Sequence, residues 1–154
     1  VKKITKLLMA VIFLFVVIYT FYSKPTHVEK ELEGIAFTLG DHNTYVEAST
    51  LKMIGFEEKT LFGKYLFDGT VVIDGHSYHL IFEGAEHNLL TYSSDAGYTR
   101  IFGDIYLNQD GSKISIRILE NGWSSQDGKM LAYPCKTREE GLEISRDIVP
   151  AILE

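Results

Sequence analysis

The stretch Leu7–Tyr22 constrains this chain more than any other, because fifteen of its sixteen residues are apolar and only Thr20 interrupts them. Lys2, Lys3 and Lys6 precede the run, and Ser23, Lys24 and Pro25 close it. A helix built from such a segment has no polar face to turn to water. At 1.5 Å per residue it reaches about 24 Å, and about 28 Å if Ile4 and Thr5 are drawn in with Lys6 snorkelling. The expectation is therefore a transmembrane anchor over residues 7–22. Bulky aromatics fill Tyr19-Thr20-Phe21-Tyr22-Ser23, where a signal peptidase needs small residues, so the anchor is expected to stay uncleaved.

Tyr19, Phe21 and Tyr22 suit an interfacial aromatic belt, and the lysine excess before the run sets a cytoplasmic N-terminus over residues 1–6. The rest of the chain is then expected outside, as a single-pass protein of the cell membrane. Val1 reads as a GTG start translated literally, which points to a bacterial reading frame. Residues 23–33 are polar, contain Pro25, and are expected to form a linker to an extracytoplasmic domain over 34–154.

Charge is as unevenly spread as hydropathy. All 21 acidic residues lie beyond Lys24, against 11 of the 15 basic ones, which leaves that part of the chain with a formal charge of −10. No Lys/Arg cluster is present to neutralise phosphates, so no nucleic-acid partner is expected. A basic protein or peptide partner fits the acidic balance. Cys135 is the only cysteine, which excludes an intrachain disulfide, and it reads as a small buried residue.

From Gly34 to Pro134 short β-favouring runs alternate with Gly, Asp and Asn. Strands are predicted over 34–39, 45–55, 61–68, 70–74, 77–83, 89–93, 98–108, 112–120 and 129–133. Asp74-Gly75 and Asp110-Gly111 each divide two alternating runs and supply the positive φ of a hairpin turn. Ile114, Ile116 and Ile118 are expected to face a core, with Lys113, Ser115 and Arg117 on solvent. Thr137-Arg-Glu-Glu140 is a capping box that opens a helix over about 138–149, in which Leu142, Ile148 and Val149 form an apolar stripe flanked by Ile144. The fold class that follows is α+β: the transmembrane helix, then a mainly antiparallel β-meander sheet with the C-terminal helix packed on it.

Signatures of known chemistry are missing. There is no glycine-rich phosphate loop, no Gly-x-Ser-x-Gly elbow, and no expected cofactor or metal. Asn108-Gln-Asp110-Gly111 resembles half of a calcium loop, but Tyr106 and Arg117 stand where its first and last ligands belong. His76 and His79 are three apart, which on a strand puts them on opposite faces. Aromatic residues in apparent loops are more suggestive. Tyr92, Tyr98 and Trp123, with Arg100 as an anchor, make a candidate binding set. The function expected is a non-enzymatic protein- or peptide-binding module at a bacterial cell surface, of an immunity-like or regulatory kind. The competing expectation is a small metal-dependent hydrolase built from His76, His79, His87 and nearby acids.

Overall fold

The computed structural model describes residues 2–22, 24–40, 42, 44–60, 64–84, 88–94, 96–120 and 122–149. Helix α1 spans Lys2–Tyr22. Eight strands follow: β1 (Thr26–Thr38), β2 (Val46–Lys59), β3 (Tyr65–Ile73), β4 (His76–Phe82), β5 (Asn88–Ser93), β6 (Thr99–Leu107), β7 (Ile114–Ile118) and β8 (Lys129–Tyr133). Helix α2 spans Arg138–Ile148.

Every strand pairs antiparallel with its sequence neighbour, and β8 returns to pair with β1, from Ile35↔Ala132 to Thr38↔Lys129. The expected meander sheet is thus corrected to a closed eight-stranded up-and-down barrel. Closure requires that every strand alternate between an inner and an outer face. Leu51, Met53, Phe67, Val71, Leu80, Leu90, Ile105, Ile114 and Ile116 fill the interior as one buried cluster. A second cluster lies outside the wall, where Ile35, Phe37, Met130 and Ala132 meet Ile144 and Val149 of the C-terminal segment.

Residues 26–33, expected as linker, belong to β1 and pair along β2 from Thr26↔Glu57 to Glu33↔Thr50. Val28 and Leu32 turn inward against the core, while Glu29, Glu31 and Glu33 line the outside, so a period of two is hidden under a polar composition. Likewise β3 runs unbroken through Gly69, which sits opposite Gly55. A Cβ on Gly69 would lie 2.7 Å from the Gly55 Cα, so the two glycines let adjacent strands press together.

The Asp74-Gly75 turn is the tight hairpin expected, with φ of +49° and +85°. Asp110-Gly111 instead belongs to a six-residue loop, 108–113, in which the Asp110 carboxylate accepts from the Ser112 amide at 3.0 Å. The half-loop that suggested calcium is this turn.

Thr137 and Glu140 form the expected capping box on α2. The buried face of α2 is Gly141, Ile144 and Ser145, so Ile144 is central to the stripe where it was expected to flank it. A Cβ on Gly141 would stand 3.0 Å from the Phe37 ring, which shows how closely the helix lies on β1. Ser115, expected on solvent, is fully buried beneath α2 and shares a 2.8 Å hydrogen bond with Ser145. Arg117 is also covered. Its guanidinium pairs with Asp104 and stacks between Tyr106 and Trp123, at 5.2 and 5.0 Å from the ring centroids.

Helix α1 forms over the apolar run. Among the described residues no helix is long and apolar enough to cross a membrane. The transmembrane anchor expected over 7–22, and the single-pass, N-terminus-inside location in the cell membrane deduced from it, are therefore not supported.

Because Ile144 fills the space between α2 and the barrel wall, Ile144→Ala is expected to cost about 2–5 kcal/mol of unfolding free energy. Ile81, about half exposed on the bare outer face of β4, should change stability by less than about 0.5 kcal/mol when replaced by alanine. Urea denaturation followed by circular dichroism measures both. Equal losses would mean that α2 contributes no more than the uncovered wall.

Candidate functional site

Up-and-down connectivity places alternate connections at the same end of the barrel, so the β1–β2, β3–β4, β5–β6 and β7–β8 connections share one rim. A cavity of about 750 Å³ opens there. Its size is that of a small-molecule or side-chain site, and barrel mouths are a usual place for one. Ala36, Ile73, Ile118 and Leu131 give it an apolar lining.

Three rings shape one wall. Tyr78 of β4 lies 4.4 Å from Phe102 of β6, tilted by 30°, and meets Tyr92 of β5 edge-on at 5.9 Å and 89°. The strand pleat explains the grouping, since Tyr78 is an inward residue on β4 and reaches across to both rings at the top of the core.

The charged lining consists of Glu47, Asp74, Glu120 and Lys129, with His76 at the rim. Glu120 accepts from the Tyr92 hydroxyl at 2.7 Å, and Glu47 from the Tyr45 hydroxyl. Among the described residues neither carboxylate takes part in an ion pair. Asp74 is bound by the fold, accepting from Ser49 Oγ and from the Thr50 amide, each at 2.8 Å. Ser49 also contacts the Tyr133 hydroxyl at 2.6 Å, which fastens the β3–β4 turn to the barrel interior. Lys129 stands 4.9 Å above the Tyr45 ring. The lining therefore carries more negative than positive charge.

The phenols register this environment. Burial, then the nearby Glu120 charge, pushes Tyr78 up to about 12. Burial also raises Tyr133. Tyr92 is raised first by its hydrogen bond to Glu120, with the neighbouring Arg100 acting in the opposite sense. Tyr45 is raised first by its hydrogen bond to Glu47.

The far end of the barrel is built differently. Lys30 and Glu57 form an ion pair facing inward, the Tyr65 hydroxyl donates to Glu57 at 3.2 Å, and the Tyr65 ring packs near Phe82. A Cβ on Gly111 would stand 2.7 Å from that ring, so the β6–β7 loop closes over Tyr65. Gly111, with φ of +68°, meets both demands.

Of the residues singled out from sequence, Tyr92 and Arg100 face each other across the β5–β6 ladder at the mouth. Tyr98 lies just before β6, largely exposed, in a loop closed by hydrogen bonds between Ser94 and Tyr98. Trp123 is elsewhere: it packs on the outer cluster and covers Arg117. His76 reaches the mouth cavity, while His79 lines a separate cleft on the outer wall. His87 lies outside the described residues. Among the described residues no three His, Cys, Asp or Glu side chains come together as a metal site.

Sequence reasoning missed Tyr78, Phe102, Glu47, Asp74, Glu120 and Lys129 as parts of one site. Their common signal is position: each sits within a few residues of a connection on the same rim.

A group whose folded pKa is raised keeps its full contribution to stability below its unfolded value, near 10 for tyrosine, and loses it as pH climbs through the folded value. The barrel should thus weaken between about pH 10 and 12, with Tyr78 contributing. Alkaline denaturation monitored by phenolate absorbance and circular dichroism should show that Tyr78→Phe flattens this decline. An unchanged slope would place the loss on other groups.

Compared with known proteins, the chain matches no protein-family model, no curated protein and no solved structure, and the mouth is characterised by its own residues alone.

Proposed function

We propose that the chain is a non-enzymatic binding module that receives a basic group of a peptide or protein in the mouth of its barrel. The observation that carries this reading is the pairing of Glu47 and Glu120, two carboxylates outside any ion pair among the described residues, with a wall of three rings. An ammonium or guanidinium group placed against Tyr78, Tyr92 or Phe102 gains a cation–π attraction of about 0.5–2 kcal/mol, depending on how far water is excluded. A carboxylate beside it adds a charge-assisted hydrogen bond. An anionic ligand would meet the same carboxylates as repulsion. Lys129 is held over the Tyr45 ring.

The net acidity of the barrel supports the same reading at longer range, since it draws basic partners toward the mouth and this attraction fades with salt. The aromatic residues contribute rigid contact area at small entropic cost.

Calorimetric titration of the full chain with a short lysine-containing peptide, beside a twin carrying glutamate in its place, tests the proposal. The lysine peptide is expected to bind, and its affinity to fall on adding salt. Glu120→Gln should weaken it by roughly tenfold, the equivalent of about 1.4 kcal/mol. Trp123→Ala should lower the melting temperature yet leave the dissociation constant unchanged, because that ring covers Arg117 on the outer wall. Equal binding of the two peptides would overturn the reading.

A further inference from the structure

The barrel wall is not equally joined all round. Strands β3 and β4 share seven residue pairs and β5 and β6 share six, whereas β4 and β5 meet at the single pair His79↔Thr91. Continuing that register would set Ser77 opposite Ser93, and this pair does not form. A bulge between Leu90 and Thr91 disturbs β5 at the same level. On the outer wall the seam widens into a cleft of about 380 Å³, whose lining includes the hydroxyls of Thr70, Thr91 and Thr99.

This cleft adjoins the mouth. Ser77, Tyr78, Tyr92 and Ser93 line both spaces. Strand edges without a ladder partner present main-chain donors and acceptors that an extended peptide can use, whatever its sequence. Successive side chains of an extended strand point to opposite sides. A segment lodged in the seam would therefore send one side chain inward past Tyr78 and Tyr92 toward Glu120, and its neighbours outward among the hydroxyls.

We propose that the upper part of the β4–β5 seam takes a short extended peptide segment, held through the backbone of Ser77 and Ser93, with its lysine or arginine side chain turned into the mouth. This inference rests on the reading of the mouth as a site for a basic group. It adds the form in which the partner presents that group: an extended main chain, not a helix and not a free small cation. The seam supplies affinity that does not depend on sequence, and the mouth supplies the choice of a basic residue.

The test uses the full chain and seven-residue peptides with one central lysine. Two versions are N-methylated on alternate amides, one set on odd positions and the other on even. One set is expected to bind at least about tenfold more weakly than the parent peptide, because its methyls remove donors facing the strand edge, while the other stays within about threefold. Amide exchange at Ser77 and Ser93, followed by NMR, should slow when the parent peptide is bound. If both methylated sets bind like the parent and these amides exchange unchanged, the seam is not used and this proposal falls, with the mouth reading intact. If neither the parent peptide nor methylammonium binds, both fall together. If methylammonium binds and the parent peptide does not, the mouth accepts free cations only and the seam proposal is overturned.

Discussion

The ladder between β1 and β8 is the contact on which the rest of this structure depends. Four residue pairs, from Ile35↔Ala132 to Thr38↔Lys129, turn a row of hairpins into a closed wall. Without that join β1 and β8 would be edges, and the apolar residues lining the barrel would face an open sheet. The chain reinforces the join from outside. Helix α2 lies over it, with Ile144 against the cluster of Ile35, Phe37, Met130 and Ala132, and Arg138 donates to the Thr38 and Gly40 carbonyls at 3.2 and 2.7 Å. The polar contacts between Ser115 and Ser145, and between Lys113 and Asp147, fix the other flank of the helix on β7.

Two ion pairs, shielded from water to different degrees, do different work. Asp104 and Arg117 are outward residues on β6 and β7, sheltered by Tyr106 and Trp123, and their pairing lets an ion pair sit within an outer wall that is otherwise covered by apolar groups. Lys30 and Glu57 point inward, at the end opposite the mouth, where Tyr65 shares the carboxylate. A charge inside a barrel is costly unless it is paired and hydrogen-bonded, and here each has its partner.

Local features of the fold were legible in the residues because local chemistry makes them. Asp74-Gly75 reads as a tight turn since few residues accept both positive φ values, and Thr137 with Glu140 reads as a helix start because the two side chains satisfy each other's backbone amides. Closure was not legible. It joins residues near the two ends of the barrel sequence, and nothing local in Ile35 or Ala132 announces the other. The polar half of β1 was hidden because Lys30 occupies an inward position that an apolar residue would normally mark. The length of the apolar run suggested a bilayer span, and among the described residues no helix is long and apolar enough to cross a membrane. For the site, Tyr92 and Arg100 were picked out by residue type and stand opposite each other, but Tyr78 and Phe102 looked like ordinary strand residues. Only the closed topology places them against the carboxylates.

Tyr65 and the glycine beneath it give the barrel a floor. A vessel floored there obliges its contents to come and go at the mouth or through the seam beside it. Whatever enters can be no longer than the cup is deep, while whatever it is attached to stays outside at full size. Such a shape does not need to engulf a partner in order to hold it, and its grip is indifferent to how large that partner is.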